Sequence, residues 1–410
     1  MSDLNLPILD LSQLDEGPDA AARFRDDLRA ATHDVGFFYL TGTGVTPELE
    51  ERLHRAARDF FALPVADKLA IENVRSPHFR GYTRVGGERT QGKVDWREQI
   101  DIGPERETVA DPSAADFFRL VGPNLWPDAQ PELRDVVSEW HDHLSGVARK
   151  LLRAWALSLG APENYFDEHF GEPSTLIKIV RYPGKEDPQP QQGVGAHKDS
   201  GVLTLLWVEP GKGGLQVQRD GEWVDAPPVP GAFVVNIGEL LEYATQGYLV
   251  ATNHRVISPR YPDDRISVPF FFNPALDKRL PLIDLPAELA AEARGVTQDP
   301  SNPIHALYGE NALKSRLRAH PDVAQIHHAD LLAARAGATT WRRRRRKEKA
   351  APHLGRPSQE VLCAIERWVR GALAAKSETL DQRAVARDVD VLEVAEQTTA
   401  LTHHQEQTTT

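Results

Sequence analysis

The chain has 410 residues, a formal net charge of −12 and 40% hydrophobic residues, enough to bury a sizeable core, so a wholly disordered polymer is excluded. No run of 18 apolar residues occurs, which argues against a transmembrane span, and Met1-Ser2-Asp3-Leu4-Asn5 lacks the basic and apolar regions of a signal peptide, as expected for a cytoplasmic protein. A single cysteine, Cys363, excludes an intramolecular disulfide framework and a multi-cysteine zinc site, leaving 15 histidines and the carboxylates as metal ligands.

Residues 18–33 carry a helical pattern, and Gly36-Phe37-Phe38-Tyr39-Leu40 reads as a strand. Thr46-Pro47 supplies an N-cap and an N1 proline for a second helix, with Leu49, Leu53, Ala57, Phe60 and Phe61 on one face. A longer amphipathic helix spans about 131–159, with Leu133, Val137, Trp140, Leu144, Val147 and Leu151 as its stripe. From Leu176 the pattern changes to short apolar runs (Leu176–Tyr182, Val202–Val208, Leu215–Gln218, Phe233–Ile237, Ile266–Phe272) separated by Gly and Pro, which predicts a barrel or double-sheet jelly roll. A helical segment follows at about 302–335. The fold class is therefore mostly β with flanking helices, divided into a mixed N-terminal part (1–170), a β-rich part (171–335) and a tail (336–410).

The tail holds the basic run Arg342–Arg346, one amphipathic helix (Val361, Leu362, Ile365, Trp368, Val369) and a Thr/Gln-rich end. Beyond residue 340 there are 13 Lys/Arg against 10 Asp/Glu, which leaves the body at −15. An acidic body repels phosphate backbones, so nucleic acid is not its expected partner. The arginine run could contact RNA, an anionic membrane or an acidic partner, or be a dispensable solvated extension.

The stretch that carries chemistry is Gly195-Ala196-His197-Lys198-Asp199-Ser200, leading into Val202–Leu206. On an extended backbone residues i and i+2 share a side, so His197 and Asp199 converge while Lys198 points away. His254, in a second expected strand, is the best third ligand. Two His and one carboxylate on one face of an octahedral ion leave three positions open, as in non-haem Fe(II) oxygenases. Two similar patterns are weaker. His328-Ala329-Asp330 and His141-Asp142-His143 lie in helical patterns, where residues two apart diverge by roughly 200°, and they read as packing or surface residues. Eleven residues beyond His254, Arg265-Ile266-Ser267 offers a guanidinium fork and a hydroxyl on one strand face, a combination that can grip a carboxylate. The alternative is a structural ion pair between Arg265 and Asp263 or Asp264.

His197-x-Asp199, His254 and Arg265-x-Ser267 together resemble the signature of the isopenicillin N synthase-like branch of Fe(II)/2-oxoglutarate-dependent dioxygenases. Supporting segments are Pro7–Leu11 with Gly36–Tyr39, Phe60–Pro64 to Lys68, Gly214–Val217, Trp223 and Val234–Gly238, so the resemblance covers about residues 5–332. It implies a double-stranded β-helix core, with Fe(II) held by His197, Asp199 and His254. It also implies 2-oxoglutarate as cosubstrate, its 5-carboxylate held by Arg265 and Ser267 with help from Tyr182, and O2 as oxidant. Ascorbate is expected to help in vitro. Decarboxylation to succinate and CO2 would drive oxidation of a small metabolite, of the kind met in secondary metabolism. Val180 stands where many relatives have Asn, and Glu239 where Asp is usual. A 2-oxoglutarate-independent oxidase, or an ethylene- and succinate-forming enzyme, is the alternative within the family; a jelly-roll binding module is the alternative outside it. No membrane partner is expected, and a monomer is plausible.

For the substrate, the sequence offers the basic stretch from His78 to Arg97. Tyr82 and Arg84 are candidate contacts for a carboxylate or other anionic group, although the arginines could simply neutralise Glu88, Asp95 and Glu98. Phe270 and Phe272 share a strand face opposite Phe271; one set lines the core and the other the pocket, and Phe272 is the candidate pocket residue.

Overall fold

The computed structural model describes residues 6–187, 192–296 and 302–334. The tail expected at 336–410, with its arginine run and helix, lies outside the described residues. Among the described residues no helix is long and apolar enough to cross a membrane.

The N-terminal part alternates helix and strand: β1 (Ile8–Asp10), α1 (Pro18–Asp34), β2 (Phe37–Thr41), α2 (Pro47–Ala62) and α3 (Val65–Ala70). The side chain of Thr46 accepts the Leu49 amide, so the expected N-cap forms ahead of Pro47. Strand β3 (Gly81–Thr83), a short ribbon of β4 (Arg89–Thr90) and β5 (Lys93–Val94), β6 (Glu98–Ile102) and the long α4 (Glu132–Ser158) follow. The β-rich part runs β7 (Ser174–Pro183), β8 (Gln192–His197), β9 (Leu203–Val208), β10 (Leu215–Arg219), β11 (Glu222–Asp225), β12 (Phe233–Ile237), α5 (Glu239–Ala244), β13 (His254–Ile257) and β14 (Asp264–Asn273). Helices α6 (Ala287–Glu292), α7 (Tyr308–Ala319) and α8 (Pro321–His327) close the described chain.

The strands form an eight-stranded sheet in the order β1-β2-β12-β9-β14-β7-β6-β3 and a four-stranded sheet in the order β11-β10-β13-β8. Only β1–β2 is parallel among these pairs. The result is the jelly-roll arrangement of two antiparallel sheets. The large sheet is covered on both faces. Toward the helices, Ile266, Val268, Phe270 and Phe272 of β14 join Trp140, Leu144 and Leu151 of α4 in the main core. Toward the small sheet, Val180, Tyr182 and Val234 meet Val194, Leu215, Val217 and Val256. This double burial explains why the central strands read as continuous apolar runs. A third cluster, including Phe79, Phe117, Leu120, Leu276, Leu313 and Leu317, fixes α7 against the loops before β3 and α4.

The division expected near residue 170 is a change of composition, not a gap in the sheet. β2 pairs with β12 and β6 with β7, so elements from both sides of that boundary share one hydrogen-bonded surface.

Candidate active site

Strand β8 ends at His197, and the chain then crosses to the large sheet, where β9 begins at Leu203. His197-x-Asp199 therefore sits in the connection between sheets rather than within one extended strand. β13 lies beside β8 with His254 directly opposite His197. This register brings the two rings to 4.3 Å between centroids. One ligand atom each from His197, Asp199 and His254 lies within 4.8 Å of the other two, and this is the one such group of three or more among the described residues.

Neighbours leave the right atoms free. Nδ1 of His197 is bonded to the carbonyl of Gly195 (2.8 Å) and Nδ1 of His254 to that of Thr252 (3.1 Å). These bonds turn both Nε2 atoms toward Oδ1 of Asp199, at 3.6 and 3.8 Å. Oδ2 of Asp199 accepts from Thr204 Oγ1 (2.6 Å) and Asn236 Nδ2 (2.7 Å), so Oδ1 alone faces the histidines. Such outer partners orient metal ligands and tune their basicity. Burial, reinforced by His254, holds the His197 imidazole down to about 4, which keeps it neutral and able to donate its lone pair. Asp199 is held below the usual carboxylate range by the two histidines and its hydrogen bonds, against the opposing effect of burial. The donor set and its free atoms fit a divalent ion such as Fe(II).

The group opens into a cavity of about 1020 Å³ that extends from the sheets to α7. Arg265 and Ser267, both on its wall, are 1% and 2% exposed. The Arg265 guanidinium lies 4.9 Å from the ring centre of Tyr182, its register partner on β7, and none of its nitrogens has a hydrogen-bond partner. The alternative of a structural pair fails on geometry. Asp264 is paired with Arg58 and Arg181, and Asp263 with Lys212. A buried cation with unused donors beside a hydroxyl and a candidate metal group is the feature a bound carboxylate would complete.

The three expected substrate contacts need correction. Phe272 does not face the cavity: it is fully buried in the core, stacked on Phe170 at 5.2 Å. The period-two pattern of β14 carries the cavity face from Arg265 through Ser267 and Pro269 to Phe271, which does line the cavity. That parity was readable from the position of Arg265. Tyr82 is buried away from the cavity wall, donating its hydroxyl to Glu98 (2.7 Å) in the main core. Arg84 is exposed and paired with Glu72, also off the cavity wall. Lys198 departs from strict alternation as well. It lies outside the regular strand, lines the cavity and reaches Glu242 at 3.4 Å. Arg97 pairs with Glu88 (3.0 Å) and Asp95, the neutralising role that the sequence left open.

The two weaker histidine patterns resolve as packing. His328 is buried at a break after α8, bonded to the Pro77 carbonyl and stacked on Phe79, while Asp330 pairs with Arg119. His141 meets Thr175, and His143 meets the Thr43 carbonyl. Thr204 and Asn236 were missed at the sequence level, because apart from their places in apolar strands nothing marks them as partners of Asp199.

Known proteins resemble this chain in both sequence and fold. The family model "non-haem dioxygenase in morphine synthesis N-terminal" matches residues 6–129, and that of the "2OG-Fe(II) oxygenase superfamily" matches residues 173–274. A 2-oxoglutarate-dependent dioxygenase, frbJ, of Dothideomycetidae sp. (strain 11243) is 35% identical over 344 residues, 79% of this chain and 92% of the relative. Homoarginine-6-hydroxylase 2-ODD-C23.1 of Arabidopsis thaliana is 34% identical over 324 residues, 75% of this chain and 95% of the relative. The crystal structure of a 2OG-Fe(II) oxygenase family protein from Caulobacter crescentus superposes with a TM-score of 0.61 at 28% identity, covering 77% of this chain and 99% of the bacterial one. The chain belongs to the Fe(II)- and 2-oxoglutarate-dependent oxygenases, enzymes that oxidise small molecules while converting 2-oxoglutarate to succinate and CO2.

Proposed function

We propose that His197, Asp199 and His254 hold the ferrous ion, and that Arg265, with Ser267 and Tyr182, takes the 5-carboxylate of 2-oxoglutarate. The remaining cavity then holds a small organic substrate. The observation that carries this reading is the fully buried, unpaired guanidinium of Arg265 in the same cavity as the His/Asp/His group. Formal charges support it. The ion and Arg265 together bring three positive charges, and Asp199 with 2-oxoglutarate brings three negative ones, so the loaded site is neutral.

Each residue has a defined task. Thr204 and Asn236 hold Asp199 by one oxygen so that the other stays directed at the ion. The Gly195 and Thr252 carbonyls fix the histidine tautomers, each presenting an unprotonated Nε2. Arg265 and Ser267 orient the cosubstrate. Bound Fe(II) supplies the redox chemistry that couples O2 to 2-oxoglutarate decarboxylation. On this reading the catalytic unit spans residues 1–335, and 336–410 is not part of it.

Purified protein supplied with Fe(II), ascorbate, O2 and labelled 2-oxoglutarate is expected to yield succinate and CO2. His197→Ala or Asp199→Ala is expected to abolish both iron binding and turnover. Product formation without 2-oxoglutarate would overturn the cosubstrate assignment.

A further inference from the structure

Five lysines and arginines are buried among the described residues: Lys68, Arg80, Arg97, Lys178 and Arg265. Three of them sit in ion pairs, Lys68 with Glu98, Arg97 with Glu88 and Asp95, and Lys178 with Glu88 and Asp101. Arg265 and Arg80 have no carboxylate within ion-pair distance among the described residues, and both line the cavity. Arg80 is 8% exposed, its Nε has no partner, and its one hydrogen bond runs from Nη2 to the Leu120 carbonyl at 3.3 Å. A buried guanidinium without a counter-charge is costly, and a fold keeps one where an anion completes it.

The backbone around Arg80 is arranged to hold it there. Phe79 has φ 58°, a left-handed conformation that an aromatic residue adopts only under constraint, and Gly81 has φ 99°. The guanidinium lies against Gly103, where a Cβ would overlap it. From α7, Arg316 and Tyr308 also line the cavity and lie close enough to influence the Arg80 charge, as do Asp101 and Glu105 from farther than ion-pair distance. Asp101 is already engaged by Lys178 and Arg316, and Glu105 by Asn124 and Trp126.

We infer that Arg80 is a second carboxylate anchor: it binds the carboxylate of the substrate, so this enzyme oxidises a small organic acid at a carbon away from that carboxylate. The inference rests on the reading of Arg265 as the 2-oxoglutarate clamp, because it applies the same logic to the second unpaired guanidinium. Arg80 is not one of the three residues of the metal group, and it precedes β3 whereas Arg265 lies on β14, so the two guanidinia reach the cavity from different elements.

The test uses the full chain loaded with Fe(II) under anaerobic conditions and reads thermal unfolding. The probes are 2-oxoglutarate alone, then 2-oxoglutarate with hexanoate or 3-phenylpropanoate, each compared with its primary amide. The wild type is expected to be stabilised by 2-oxoglutarate and further by the acids, with the amides giving no added shift. Arg80→Gln is expected to keep the 2-oxoglutarate shift, which shows that it is folded, and to bind the acids about tenfold or more weakly. Arg80→Lys should recover part of the acid response, since charge is retained but the fork is lost. Acids and amides acting alike on the wild type, or Arg80→Gln responding to acids as the wild type does, overturns the anchor. A wild type that shows no 2-oxoglutarate shift overturns the Arg265 reading instead, and with it the premise.

Discussion

Replacing Arg265 by methionine separates a ligand clamp from a structural residue, because the two roles give stability changes of opposite sign. The substitution keeps an unbranched stem and removes the charge. In the ligand-free protein the wild-type guanidinium is 1% exposed with no hydrogen bond to any of its three nitrogens. An unsatisfied buried polar group costs about 1–3 kcal/mol, offset by a cation–π contact with Tyr182 of about 1–2 kcal/mol. Arg265→Met should therefore leave ligand-free stability unchanged or raise it by about 1 kcal/mol. With an unfolding entropy of about 2.1 cal/mol/K per residue, a unit of this size shifts Tm by roughly 1.5 °C per kcal/mol. 2-Oxoglutarate, in contrast, loses two charge-assisted hydrogen bonds of about 1.5–3 kcal/mol each, which weakens Kd by about 10²- to 10⁴-fold. Thermal unfolding with and without 2-oxoglutarate, together with a direct binding titration, reads both quantities. A loss of more than about 2 kcal/mol in the ligand-free variant, or an unchanged Kd, would refute the reasoning.

Three further outcomes follow from the same geometry. Asn236→Leu removes one of the two bonds to Asp199 Oδ2 and should weaken iron binding by about 10- to 100-fold, measured by chelator competition; an unchanged affinity would show that Thr204 alone suffices. Phe272→Ala should cost about 3–5 kcal/mol in denaturant unfolding because Phe272 is fully buried, whereas Phe271→Leu should change substrate choice with little effect on stability; the reverse pattern would contradict the assignment of faces on β14. His197 and His320 are both held at about 4, chiefly by burial, while the unfolded chain protonates them near 6.5. Between those values the unfolded state binds more protons at the two histidines, while the native state alone holds a proton on Glu239, pushed up to about 7 by burial, which offsets one of them. Stability of the metal-free protein should therefore fall as pH drops from 6.5 toward about 4.5, by up to about 1.4 kcal/mol per pH unit in net. Denaturant midpoints that stay flat across that window would contradict this.

The parts of the site legible in the sequence are those where chemistry and strand periodicity coincide. His254, Arg265 and Ser267 fall on regular strands, so residue type and parity sufficed to group them. His197 and Asp199 lie together as the spacing predicts, but by a different route: a crossing between sheets, not an unbroken pleat, brings the two side chains to within 3.6 Å. Where the pleat stops, alternation stops too, and Lys198 lines the cavity for that reason. For Tyr82 and Arg84 the sequence offers only their nearness to a basic stretch. Pairing of β3 with β6 instead puts Tyr82 over Glu98, and Glu72 takes Arg84, relations that only the tertiary fold creates. Arg80, two residues before Tyr82, carried no distinguishing mark until its lack of a counter-charge became visible.

Pairing of β2 with β12 has a consequence for how the protein is made. Phe37–Leu40 is synthesised about 190 residues before its antiparallel partner Phe233–Asn236. At translation rates of about 5–20 residues per second, that strand waits roughly 10–40 s for its neighbour. During the interval its one available sheet partner is β1, whose parallel pairing covers one edge while the other stays open. The growing chain thus presents a long-lived apolar edge at the ribosome, and low temperature or chaperone supply during expression becomes a determinant of soluble yield quite apart from the stability of the finished enzyme.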